Sequence, residues 1–215
     1  LQGVKVVFAV DRAGIVGEDG ETHQGVFDAA FFNAIPGVTV LSPCYFEELY
    51  QDLRRALYEL PGVVAVRYPR GGQPFCPAQF QPSGADWALY GEAGAPVLLI
   101  TYGRLFAQAC RAQERLLHEG VRAEILKLNQ IKPLPAAALD AAQNRQAVFF
   151  FEEGMRCGGV GEHFAASLLE RGFHGKFFLQ AIDRFVPHET VAQALADLKL
   201  DSSAMVQIIK TEWGK

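Results

Sequence analysis

Asp11-Arg12-Ala13-Gly14-Ile15-Val16-Gly17-Glu18-Asp19-Gly20-Glu21-Thr22-His23-Gln24-Gly25 stands between two apolar segments of different period. Residues 4–10, before it, form an apolar run that reads as a buried strand, covered on both faces as in a parallel sheet. Residues 24–34, which follow, have the apolar spacing of a helix, stopped by Pro36-Gly37. Strand, polar loop, helix is the unit of an α/β sheet, in which ligands bind at the carboxyl ends of the strands. The loop gathers a guanidinium, carboxylates and an imidazole between glycines that let the backbone approach a ligand closely. Its residues suit an anion or polyol site with a titratable group, or a solvated surface loop, and name no reaction.

The alternation continues outward. A strand is expected over residues 38–41, an amphipathic helix over 46–60 with Leu49, Leu53, Ala56, Leu57 and Leu60 on one side, and a strand over 63–68. These elements make half of an α/β domain with a parallel sheet, whose open edge calls for a cover. Residues 73–84, rich in Gly, Pro, Gln and Ser, read as a linker in extended form, since Phe75 and Phe80 are too apolar to hang in water. A second α/β domain is expected over residues 85–215, complete in itself. Its strands fall at 87–90, 97–102, 123–128, 148–151 and 176–182, and its helices at 105–119, 136–143, 162–170, 188–198 and 202–213, with a loop over 129–135.

Composition narrows the function classes. The 215 residues carry a net charge of −4 with both signs scattered, which argues against a nucleic-acid-binding surface. No apolar run approaches the ~20 residues that span a bilayer, and residues 1–10 lack a basic leader and a cleavage site. The four cysteines share no metal-ligand spacing, so free thiols in a reducing cytoplasm are expected. The chain opens without methionine directly into a strand, and is expected to be a piece of a longer polypeptide.

Arg12 and Arg70 both lie just past strand ends of the first domain, so parallel strands would bring them to one edge of the sheet. Two converging guanidiniums suit a phosphate, and the alternative is surface salt bridges to Asp11 or Asp19. His23 can act as donor, acceptor or general acid/base, or make a helix-entry hydrogen bond, with Thr22 as an N-cap. Gly158-Gly159-Val160-Gly161 follows a strand and opens a helix, but without the residues of a nucleotide-binding loop it reads as close packing of helix on strand. Glu152 and Glu153 read as a solvated strand end or a site, and His118, His163 and His174 as structural or surface residues.

The stretch from Asp11 through Gly25 and on to Val26-Phe27-Asp28 resembles the signature of the 1-deoxy-D-xylulose-5-phosphate synthase family. Transketolases share the Gly-Glu-Asp-Gly-x-Thr-His-Gln portion but not the preceding Asp-Arg-Ala-Gly. Arg67-Tyr68-Pro69-Arg70-Gly71 is a second match, and Asp183-Arg184-Phe185-Val186-Pro187-His188 with Leu200-Asp201-Ser202-Ser203-Ala204 a third. The resemblance covers essentially the whole chain. It implies a thiamine-diphosphate- and Mg2+-dependent homodimer that condenses pyruvate with glyceraldehyde 3-phosphate, losing carbon dioxide, for isoprenoid, thiamine and pyridoxal synthesis. This chain would be the second half of the transketolase-type pyrimidine-binding domain, residues 1–72, followed by the whole C-terminal domain.

By the same resemblance Arg12 and Arg70 would hold the acceptor's phosphate, Asp19 would contact an acceptor hydroxyl or carbonyl, and His23 would lie beside the reacting carbon. The family's catalytic glutamate and aromatic shelf would precede Leu1, and its Gly-Asp-Gly metal motif is nowhere in the sequence. The chain alone is therefore expected neither to bind the cofactor tightly nor to turn over. Residues 41–46 and Gly154 depart from the family's usual pattern. Two other readings compete: a transketolase or another thiamine enzyme, against which Asp-Arg-Ala-Gly speaks, and a non-catalytic dimerisation module.

Overall fold

The computed structural model describes residues 3–214, and these form two sheets. The first contains β1 (Val6–Val10), β2 (Val38–Leu41) and β3 (Val63–Arg67), with helices α1 (Asp28–Asn33) and α2 (Phe46–Tyr58) between them. Strand β3 lies between β1 and β2 and runs parallel to both. Val64 and Val66 pack with Ala56 of α2, whereas Ala65 turns the other way, into a cluster shared with the second sheet. This is the period-2 alternation of a strand covered on both faces.

The second sheet is built from β4 (Trp87–Gly91), β5 (Val97–Tyr102), β6 (Ala123–Leu128), β8 (Ala147–Met155) and β9 (Lys176–Ile182). Its order is β4-β6-β5-β8-β9, with only β4 antiparallel. Every residue of β5 and β6 is buried, because helices α3 (Leu105–His118), α4 (Ala136–Gln143), α5 (Val160–Glu170), α6 (Val191–Asp197) and α7 (Ser202–Trp213) cover the sheet. Thr190 caps α6 and Asp201 caps α7 through side-chain oxygens that accept backbone N–H groups. The segment 73–84 is extended, with Phe80 buried against Tyr45, Tyr90 and Phe106.

Several expectations need correction. Strand β1 is not covered on both faces: it is the edge of its sheet, and Phe8 is 47% exposed. The helix expected from residue 24 begins only at Asp28, because Gly25 is drawn into backbone bridges with Ala13 and Gly14. Thr22 caps no helix; its hydroxyl meets His23 Nδ1 at 2.9 Å. The loop expected over 129–135 contains a strand, β7 (Gln130–Lys132), which pairs antiparallel with β2 and closes the other edge of the first sheet. The second region is thus not complete in itself, since it lends a strand to the first. From β7, Lys132 Nζ also donates to the carbonyls of Phe32 at 2.7 Å and Asn33 at 3.0 Å, satisfying groups left open at the end of α1.

Candidate active site

The parallel pairing of β1 with β3 does not stop at the strand ends. The Tyr68 N–H donates to the Val10 carbonyl at 2.9 Å, and the Ala13 N–H donates to the Tyr68 carbonyl at 2.9 Å. Residues 11–13 and 68–70 therefore share one frame. Between them Arg12 adopts a left-handed backbone, φ 58°, which costs a non-glycine residue about 1–2 kcal/mol. The flanking ladder bonds hold it there.

Arg12 and Arg70 meet on one carboxylate. Arg12 Nη1 lies 2.5 Å from Asp19 Oδ2, and Arg70 Nη1 lies 2.8 Å from Asp19 Oδ1. The hydrogen bond from Arg70 and the charges of Arg12 and Arg70 hold the Asp19 carboxyl below its ordinary range. His23 follows on the next turn of the same loop, where its backbone N–H donates to the Gly20 carbonyl at 3.3 Å. His23 is exposed and meets Thr22 through Nδ1, while its Nε2 has no partner among the described residues. Arg12, Asp19 and Arg70 are thus brought together, with His23 beside them. Two guanidiniums on one carboxylate leave a net positive charge, and each guanidinium carries five donors, most of them unspent here.

The loop is packed from the far side by the C-terminal region. Gly17 accepts the Glu189 N–H at 3.3 Å, and a Cβ at Gly17 would stand 2.1 Å from the Glu189 carbonyl oxygen. Phe185 packs on Phe27 with ring centroids 5.7 Å apart. The segment 183–188 with the adjoining Glu189 thereby joins the opening loop in space.

Sequence reasoning missed the groups beneath the site. Arg67 is buried and donates to both carboxylate oxygens of Asp28 and to Ser42 Oγ, so it is a strut for α1, not a ligand group. Glu152 and Glu153 are buried, not a solvated strand end. Glu152 accepts from Tyr102 Oη at 2.7 Å and from the amides of Val160 and Gly161 at 2.9 and 2.8 Å. Burial pushes its carboxyl up, opposed by those donors. The amino end of α5 is thus filled by an internal carboxylate, and a Cβ at Gly161 would stand 2.4 Å from Leu179, as close packing of helix on strand requires. Gly154 sits under Tyr102, whose hydroxyl would lie 3.0 Å from an added Cβ, so a larger residue there needs the ring to move. Two carboxylates at the end of a phenylalanine run were the available signal for these partners.

The chain matches two families: "Transketolase, pyrimidine binding domain" over residues 1–74 and "Transketolase, C-terminal domain" over residues 87–204. A 1-deoxy-D-xylulose-5-phosphate synthase of Chlorobium phaeovibrioides is 35% identical over 215 residues, 98% of this chain and 34% of that protein. That of Macrococcus caseolyticus is 36% identical over 217 residues, 97% of this chain and 34% of that protein. The chain therefore spans about a third of the length of these relatives. A solved structure described as a split gene transketolase, inactive beta4 tetramer, superposes with a TM-score of 0.82 at 24% identity, covering 97% of this chain and 67% of that one. That likeness is one of fold.

Proposed function

Because this chain belongs to the transketolase family, we propose that it forms the acceptor side of a 1-deoxy-D-xylulose-5-phosphate synthase, which condenses pyruvate with glyceraldehyde 3-phosphate with loss of carbon dioxide. The observation that carries the reading is the convergence of Arg12 and Arg70, from the ends of two parallel strands, on Asp19. The phosphate of the aldehyde is the anion this pair suits, since a guanidinium fork matches phosphate oxygens bidentately. Asp19 holds the forks together and offers an acceptor to a substrate hydroxyl. His23, exposed beside them, is the group able to hold or move a proton at the aldehyde carbonyl.

The thiamine diphosphate of such an enzyme supplies the electron sink for decarboxylation. The residues of this chain do not fit its metal–diphosphate end: among the described residues no group of three His, Cys, Asp or Glu side chains stands together to hold a metal ion. In this reading the cofactor with its Mg2+ is held by the part of the relatives that the chain does not span, and the 215 residues alone bind it weakly and do not turn over. Cytoplasmic location and assembly as a homodimer belong to the same reading; among the described residues no helix is long and apolar enough to cross a membrane.

Two measurements test it. Calorimetric titration of the 215-residue chain with thiamine diphosphate and Mg2+ is expected to show no micromolar binding, and a micromolar isotherm would overturn the division of labour. In an active enzyme that includes the cofactor-binding portion, Arg70→Ala is expected to raise the KM for glyceraldehyde 3-phosphate about 10–100-fold, the worth of one charged hydrogen-bonding contact, with the KM for pyruvate little changed. Equal rises in both would sink the phosphate assignment.

A further inference from the structure

One ion pair beside the site is left unused by the acceptor reading. Arg104 lies between β5 and α3, and Glu153 lies in β8. Arg104 Nε sits 3.0 and 2.9 Å from the two carboxylate oxygens of Glu153, and its Nη2 donates both to Glu153 Oε1 and to the Ile15 carbonyl. Glu153 Oε1 in turn accepts the Ile15 N–H at 2.6 Å. One charge pair rooted in the second sheet thus grips both backbone polar groups of one residue in the loop of the first.

The grip leaves little play. Gly14 lies flat on the Glu153 carboxylate at φ 84°, and an added Cβ would stand 2.6 Å from it. The far end of the loop is tied to the same strand, since the Met155 N–H donates to the Val26 carbonyl at 2.9 Å. From Ile15 the chain passes into a 3-10 turn, Gly17–Asp19, in which the Asp19 N–H donates to the Val16 carbonyl at 2.9 Å. A displacement of Ile15 is therefore carried to Asp19. Arg104 also lines, with Arg70 and residues 15–18, a cleft of about 210 Å³.

We propose that Arg104 and Glu153 are positioning residues for the Arg12–Asp19–Arg70 site: anchored in the second sheet, they hold Ile15 and so set where Asp19 stands between the two arginines. The inference rests on the reading of this loop as the acceptor site. It differs from a stabilising role because the pair bears on loop backbone that carries the partly buried Asp19 carboxylate, on which Arg12 and Arg70 converge.

The test follows the Asp19 carboxyl by carbon NMR across pH in the 215-residue chain and in Arg104→Ala, Arg104→Lys and Glu153→Gln. The control is Arg145→Ala, which breaks an equally buried pair with Glu124 near the amino ends of β5 and β8. The Asp19 midpoint is expected to rise toward ordinary carboxylate values in the Arg104 and Glu153 variants, whereas Arg145→Ala lowers the melting temperature and leaves Asp19 where it was. Inorganic phosphate, titrated in parallel, is expected to bind at least about tenfold more weakly to Arg104→Lys than to the unaltered chain, the loss of one charged hydrogen bond. Folded variants in which Asp19 titrates as before overturn the proposal. Loss of the fold in all three also overturns it, by assigning the pair to stability. Failure of the unaltered chain to bind phosphate counts against the acceptor reading instead, and the Asp19 titration still decides the positioning role.

Discussion

The sheets β4-β6-β5-β8-β9 and β1-β3-β2-β7 use the same strand–helix alternation, yet they stand differently toward solvent. In the larger sheet the central strands are buried throughout and both faces feed large apolar clusters. In the smaller sheet one edge is open, and the cluster under α2 has four fully buried members, Leu41, Ala56, Val64 and Val66. The exposed charged groups of the candidate site all belong to the smaller sheet. What supports it comes from the second region of the chain: strand β7, which that region lends to the smaller sheet, the Arg104–Glu153 grip on Ile15, and buried polar contacts between β6 and α2. The deep region scaffolds, and the shallow region presents exposed groups on borrowed support, the usual relation of binding loops to a rigid frame.

The strongest of these links to break is Lys127 with Glu48, from β6 to α2. Nζ lies 2.9 Å from Oε1 and both side chains are 2% exposed. Lys127→Met would leave the Glu48 carboxylate buried with only the amides of Cys44 and Tyr45. Removing one partner of a buried pair costs about 3–5 kcal/mol, whereas replacing both by apolar residues can be neutral. Denaturant unfolding is therefore expected to show a loss of that size in Lys127→Met and recovery in the double variant Lys127→Met with Glu48→Leu. A single-variant loss under about 1 kcal/mol, far below the usual cost, would mean that the small sheet stands without this support.

Next in size is a pH effect at the same interface. Burial pushes the Asp52 carboxyl up to about 7, against the lowering influence of Arg55, Asn129 and Lys127. Asn129 Nδ2 donates to both of its oxygens, at 3.1 and 3.0 Å. The unfolded carboxyl ionises near 3.9, so between about 4 and 7 the folded state keeps a proton that the unfolded state releases. The contribution is complete below that window, declines as pH rises through it, and is gone above about 7. At about 1.4 kcal/mol per pKa unit the ceiling is roughly 4 kcal/mol. Asp52→Asn is expected to flatten the fall in melting temperature between pH 5 and pH 8 and to be the more stable protein at pH 8. Identical slopes in the two proteins would break the argument.

Legibility in the sequence follows the same division. The bounds of β5, β6, β9, α4 and α7 agree with expectation because each is a long apolar or periodic segment closed by turn residues. Strand β7 escaped because three residues, Gln130-Ile131-Lys132, before a proline show no period, and their partner lies about 90 residues away in β2. The start of α1 was misplaced because the tie of Gly25 to Gly14 is invisible in helical spacing. For the site, parallel strands sufficed to predict that Arg12 and Arg70 share an edge. The bridging carboxylate was among the stated alternatives for them. Glu152 and Glu153 could not be assigned because their donors, Tyr102, Arg104 and the amides of α5, come from other segments.

The smallest expected effect on stability falls where the largest functional effect is expected. Arg70 is about half exposed, and Asp19 keeps Arg12 if Arg70 is removed. Exposed ion pairs contribute ~0–1 kcal/mol, because water and salt screen the charges and two long side chains must be ordered. Arg70→Ala is therefore expected to shift the unfolding free energy by no more than about 0.5 kcal/mol, the usual range for surface substitutions. Phosphate binding, measured on the same sample, should be lost. The two readouts separate a ligand group from a strut: Arg67, at the end of β3 and buried on Asp28, should behave in the opposite way. If Arg70→Ala instead costs more than about 2 kcal/mol, well outside that surface range, the Arg12–Asp19–Arg70 cluster is part of what holds the small sheet together, and the contrast between supporting and presenting regions fails at its most exposed point.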